Sequence, residues 1–171
     1  MEILLKNTTR FILLALLQVL IFNQLEFGWL IHIMVYPVFI MLLPFELGTV
    51  SLLSLAFLMG FIIDVFSNTY GLHTSSLLTM TYFRPKIFKI FSPIDGYDPL
   101  KQPTIFDMGF RWFLLTFGNL LLIHHFWYFL IEIFRFNEVL SIFSKTTVSF
   151  IFSLSMSIIF QQFLYKKVKP K

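Results

Sequence analysis

The feature that most constrains this chain is the recurrence of long apolar runs separated by short polar connectors. A bilayer core of about 30 Å is crossed by roughly 20 helical residues, fewer or more with tilt. On that ruler the sequence divides into six spans, near residues 10–23, 29–47, 49–66, 72–91, 110–133 and 139–165. The second is the most irregular: Pro37 interrupts it and Pro44 closes it, and an interior proline removes a hydrogen bond and kinks a helix. The expected fold is all-α, a polytopic membrane protein with six transmembrane helices forming one integral membrane domain over residues 1–171.

Composition supports this. Hydrophobic residues make up 57% and charged residues 13%, with a mean hydropathy of +0.81, whereas soluble domains carry about a quarter charged residues. The longest hydrophilic segment, residues 92–107, is too short to bury a core of its own. The absence of cysteine excludes disulfides and thiolate metal sites. There are 24 phenylalanines and only two alanines, Ala15 and Ala56, which reads as compositional bias rather than a ligand-stacking surface. Lys6 and Arg10 precede an apolar run in the manner of a signal sequence, but no small-x-small cleavage site follows. The run is therefore expected to stay as the first span.

The net charge of +4 does not indicate nucleic acid, because the basic residues lie between the apolar runs rather than in one patch. They report orientation instead. With the N-terminus cytoplasmic, 11 of the 13 basic residues fall inside: Lys6, Arg10, Arg84, Lys86, Lys89, Lys101, Arg111, Lys166, Lys167, Lys169 and Lys171. Only Arg135 and Lys145 fall outside. Six spans then put both termini, a loop near residues 92–107 and the basic tail 166–171 in the cytoplasm. The loop opens with SPIDGYDPLKQP, whose Pro, Gly and Asp favour turns. Before it, Ile87, Phe88, Ile90 and Phe91 alternate with Lys86 and Lys89, a pattern suited to a short interfacial helix.

Within the third span one carboxylate sits in an apolar run. Ala56, Gly60, Asp64, Ser67 and Gly71 follow each other at steps of 4, 4, 3 and 4. At about 100° per residue they share an arc of roughly 80°. Small residues let helices approach closely in lipid, and an ionisable group there must face protein or water. This stripe is expected to meet another helix. As a structural element, Asp64 would accept hydrogen bonds from a neighbouring helix or from amides near Asn68 and Gly71. As a functional one, it would bind a proton, a cation or a substrate amine.

Most of the other acids lie at span ends or in the loop, and Asp64 alone lies within an apolar run. No second carboxylate is near Asp64 for paired acid–base chemistry. Of the histidines His32, His73, His124 and His125, the adjacent pair points about 100° apart and cannot face one metal together. His125 and Glu132, seven residues apart, could form a half-site with His73, but histidines bonded between helices are the simpler reading. Ser149, Ser153, Ser155 and Ser157 offer small contacts for packing. No nucleophile elbow, phosphate loop, metalloprotease or dinucleotide motif is present. No enzyme, cofactor or metal is expected.

The run Gly60-Phe-Ile-Ile-Asp64-Val-Phe-Ser67-Asn-Thr-Tyr-Gly71-Leu-His73 resembles the signature region of the rod shape-determining protein MreD family. Pro37 and Pro44, Arg84-Pro85 and the His124-His125 pair resemble its Bacteroidota branch. The similarity covers nearly the whole chain, which departs from many members in its phenylalanine load and its longer fourth-to-fifth loop. The resemblance implies a non-enzymatic component of the bacterial inner membrane that maintains rod shape. Such proteins bind the periplasmic coiled-coil protein MreC. Through it they act on a RodA-type glycosyltransferase and a class B penicillin-binding transpeptidase, alongside MreB filaments, to regulate lateral peptidoglycan synthesis. The fold is also similar to the substrate-binding subunits of energy-coupling-factor transporters, so the alternative is a small-molecule, vitamin-type binding subunit. The stripe Ala56, Gly60, Asp64, Ser67, Gly71 with His73 is then the candidate surface for helix packing or partner binding.

Orientation is directly testable in this cysteine-free chain. Asp98→Cys and Lys169→Cys are each expected to be shielded from membrane-impermeant thiol reagents in intact cells. Labelling of either from outside reverses the assignment.

Overall fold

The computed structural model describes residues 2–25 and 28–164. Glu26 and the basic tail 166–171 lie outside the described residues. The helices are α1 (Glu2–Leu20), α2 (Pro37–Leu42), α3 (Thr49–Ser67), α4 (Leu72–Ile90), α5 (Ile105–Met108), α6 (Phe110–Ile133) and α7 (Val139–Leu164). Among the described residues, four helical stretches are long and apolar enough to cross a membrane: Leu4–Gln24, Thr49–Ser67, Phe110–Ile133 and Val139–Phe163. The chain is thus a helical protein of membrane-spanning character, with no strand among the described residues.

Neighbouring helices pack in the order α1, α3, α4, α6, α7 around a central segment. Their outer faces carry exposed Ile12, Leu16, Phe57, Phe61, Val65, Leu122 and Phe152. Lipid satisfies such side chains as well as protein does, so association relies on close packing and interhelical hydrogen bonds. α4 matches the others in length, but Thr, Ser, Arg and Lys lower its apolarity. It continues through Pro85 to Ile90, so the alternating lysine segment is the end of α4 rather than a separate interfacial helix.

The expected second span differs most. Residues 31–35 form no regular secondary structure, and only the six residues Pro37–Leu42 are helical. Pro37 starts that helix, where its missing N–H costs nothing. Ile33 to Leu43 are all buried, so this irregular piece is the core rather than one more wall of the bundle. Other boundaries shift less. α1 begins at Glu2 instead of near residue 10, and the 92–107 loop contains the short helix α5.

Non-helical backbone inside an apolar bundle must be satisfied by protein. Here side chains do so from both sides. On α1, Gln18 Nε2 donates to the Ile33 carbonyl at 3.0 Å and its Oε1 accepts from the Val35 amide at 2.8 Å. On α7, Ser149 accepts from the His32 amide at 3.0 Å and Ser153 from the Met34 amide at 2.8 Å. Ser149 also donates to the Leu30 carbonyl at 3.2 Å. Ser149, Ser153, Ser157 and Gln161 are each fully buried, and their four-residue spacing aligns them on one face of α7. Of the serines expected as small packing contacts, Ser149 and Ser153 are hydrogen-bonding partners of this irregular segment, whereas Ser155 bonds within its own helix and the buried Ser157 hydroxyl has no partner.

At the far end of α2 the last carbonyls lack intrahelical donors. Two buried arginines supply them: Arg84 donates through Nη2 to the Leu43 and Pro44 carbonyls, and Arg10 donates to Leu42 O at 3.4 Å. A cation at a helix C-terminus also complements its dipole. Both arginines belong to the basic count that set the orientation, yet each is engaged inside the bundle.

Removing a Ser hydroxyl on α7 should strand a buried amide. Ser153→Ala is expected to cost about 1–3 kcal/mol of unfolding free energy in detergent. Ser155→Ala, exposed and bonded only within its own helix, should stay within about 0.5 kcal/mol of the parent.

Candidate functional site

α3 and α4 form a hairpin whose turn depends on two residues in the left-handed region. Asn68 has φ +53°, and Gly71, at φ +86°, precedes α4. Glycine adopts that conformation without the Cβ penalty. The Asn68 and Thr69 amides both bond to the Asp64 carbonyl, which closes the last turn of α3.

The Asp64 side chain closes the first turn of α4. Its Oδ1 accepts from the His73 amide at 3.0 Å and the Thr69 hydroxyl at 2.6 Å. Its Oδ2 accepts from the Thr74 amide at 2.8 Å and the Thr74 hydroxyl at 2.5 Å. The first amides of a helix have no intrahelical acceptor, and a negative charge there is favoured by the helix dipole. A carboxylate from one helix therefore caps the next, and all four bonds are local. Being 6% exposed, it would be costly without them.

One turn earlier, Gly60 sets the distance between the two helices. A Cβ at this position would lie 2.5 Å from Thr74 Cα and 2.9 Å from its amide nitrogen. Those atoms are backbone and cannot swing aside, so Gly60 touches the residue that Asp64 caps. Ala56 is fully buried below it. Ser67 does not join this contact: it accepts from Asn23 Nδ2 at 2.6 Å, beyond the end of α1. Gly71 contributes its conformation rather than close approach, since a Cβ there would meet nothing within 4 Å.

His73 links this joint to a polar cluster in the core. Tyr36, fully buried at the start of α2, bridges His73 Nδ1 at 2.9 Å and His124 Nε2 at 2.7 Å. The adjacent His125 turns toward α7 instead. Its Nδ1 bonds to the Leu121 carbonyl and its Nε2 to the Ser153 hydroxyl, each at 3.0 Å. The two neighbouring histidines thus serve different partners, as their angular separation requires. Glu132 pairs with Lys145 at 2.9 Å, so the half-site with His125 and His73 does not form. Among the described residues no three His, Cys, Asp or Glu side chains are placed to hold a metal ion.

A cavity of about 380 Å³ lies beside this cluster, lined by Gln18, Asn23, His32, Thr69, His73 and Tyr128 among others. His32 also carries a buried Nδ1 with no partner. Asp64 does not line this cavity, because its oxygens face the start of α4. Tyr36 and Gln18 carry much of the polar core, yet neither forms part of a recognisable motif. Their only signal was a polar side chain inside an apolar run.

The chain matches no known protein family, no curated protein and no solved structure.

Asp64→Asn keeps the shape and one acceptor oxygen and is expected to retain a folded hairpin. Asp64→Leu leaves two helix amides and two hydroxyls without an acceptor and should unfold at markedly lower temperature in detergent, since each stranded buried group costs about 1–3 kcal/mol. If Asp64→Leu unfolds like the parent, the cap is not holding α4.

Proposed function

We propose that this chain is a non-enzymatic scaffold of the bacterial inner membrane, acting within the machinery that elongates the cell wall, as in the MreD family it resembles. The observation that carries this reading is the use made of the motif behind the resemblance. Gly60 sets the α3–α4 contact, Asp64 caps α4, and Gly71 makes the turn between them. A carboxylate whose two oxygens each hold two donors is committed to structure. That suits a rigid surface for a partner better than a reacting group. In this reading the partner is an MreC-like coiled-coil protein on the outer side, with the glycosyltransferase, the transpeptidase and MreB filaments reached indirectly. The chain would cross the bilayer six times with both termini in the cytoplasm, the central segment making the second crossing.

The polar cavity favours a second reading. Its histidine, tyrosine and amide lining suits a small, hydrogen-bonding molecule, as in a vitamin-type binding subunit of a transporter. Affinity purification of the tagged full chain from native membranes, with partners identified by mass spectrometry, separates the two. An MreC-like protein is expected to copurify and to be lost with Gly60→Leu, which drives a branched side chain into the Thr74 backbone. Recovery of a transporter ATPase instead replaces the scaffold reading with the second.

A further inference from the structure

Where α3 begins and α4 ends, the structure leaves three anion-seeking features facing one cleft. The first is the start of α3. Gly48 is its N-cap residue and no side chain caps the first-turn amides, so the helix start presents partial positive charge. The second is Arg84, 2% exposed and lining the same cleft. Its Nη2 is spent on the carbonyls after α2, but its Nε is buried and makes no hydrogen bond. The ion pairs among the described residues are Arg135–Glu138 and Lys145–Glu132, so no carboxylate neutralises it. The third is Lys89, exposed one turn beyond Pro85 on the rim of the cleft.

A buried cation without a counter-charge is costly unless an anion completes it. The cleft has a volume of about 420 Å³, and no acidic residue lines it. Its remaining walls are mainly apolar beside Thr49, Ser92 and Tyr97, with Leu52 and Phe88 buried and the Phe88 ring 4.4 Å from the Arg84 guanidinium carbon. The location also selects the kind of anion. α3 has 19 residues, about 28 Å at 1.5 Å per residue, which matches the hydrocarbon core. Its first residues therefore sit at headgroup depth, where basic pockets between helices bind lipid phosphates.

We propose that this cleft is a binding site for the phosphate of an anionic phospholipid. The phosphate sits between the α3 amides, Arg84 and Lys89, and the glycerol and upper acyl carbons lie on Leu52 and Phe88. This site is separate from the α3–α4 turn and from the polar core, and it does not depend on the functional reading above.

Gly48 provides the decisive variant. Its φ is −60°, and a Cβ would meet nothing within 4 Å. Gly48→Asp thus places an internal carboxylate at the helix start without strain, caps α3 and competes with the phosphate. The full chain in detergent is titrated with dioleoylphosphatidylglycerol, with dioleoylglycerol (the same tails without phosphate) or with inorganic phosphate. Bound lipid is followed by native mass spectrometry and the unfolding midpoint by heating. Phosphatidylglycerol is expected to stay bound and raise the midpoint, and dioleoylglycerol to do neither. Gly48→Asp should unfold no earlier than the parent without lipid, yet bind phosphatidylglycerol about tenfold more weakly. Lys89→Glu, altered at an exposed side chain, should also weaken it. The proposal is overturned if dioleoylglycerol binds equally well, or if both variants bind phosphatidylglycerol like the parent. A midpoint shift with inorganic phosphate that phosphatidylglycerol does not match would also overturn it, because the ligand would then be soluble.

Discussion

The architecture rests on one requirement: the non-helical backbone at the centre of the bundle must find hydrogen-bond partners without water. In a helix each peptide group is satisfied by its own chain, but residues 31–35 have given that up. Gln18 from one side and Ser149 and Ser153 from the other restore what was lost. This explains why α7 presents a polar face to the interior of a hydrophobic protein. It also explains why a helix as short as α2 persists, since its two ends are held by a proline start and two arginine donors.

The same logic governs the α3–α4 hairpin at smaller scale. Asp64 belongs to α3 but completes α4, and Gly60 brings the two backbones close enough for it to do so. The two helices are then joined by a short turn, a carboxylate cap and a direct backbone contact. His73, held by that cap through its amide and by Tyr36 through its ring, carries the joint inward to the core. Local turn chemistry and central packing are therefore mechanically continuous.

How much of this could be read from the chain alone depended on sequence distance. The Asp64 bonds reach nine and ten residues along the chain, so the motif contains both donor and acceptor and their spacing exposes the joint. Gly60 was legible for the same reason, although Ser67 left the shared stripe for Asn23 once the helix ended. The central segment was not legible as irregular backbone. Hydropathy reports which side chains avoid water and is silent on backbone conformation, so an apolar stretch around Pro37 reads as a kinked span. The serines of α7 were visible as a pattern, but their partners lie 117 to 121 residues earlier. No local period marks such pairings. His124 and His125 were separable by angle, whereas Tyr36 between two histidines required the fold.

The distance between those partners has a consequence for how the protein is made. The amides of His32 and Met34 leave the ribosome more than a hundred residues before Ser149 and Ser153, on the last of the described helices. Until that helix arrives, those amides lack the acceptors that the finished molecule gives them. They must remain near water or other polar groups, or be bonded in a temporary helical form around Pro37. The arrangement of the early half is therefore provisional, and α7 acts as the closing piece that lets the centre settle.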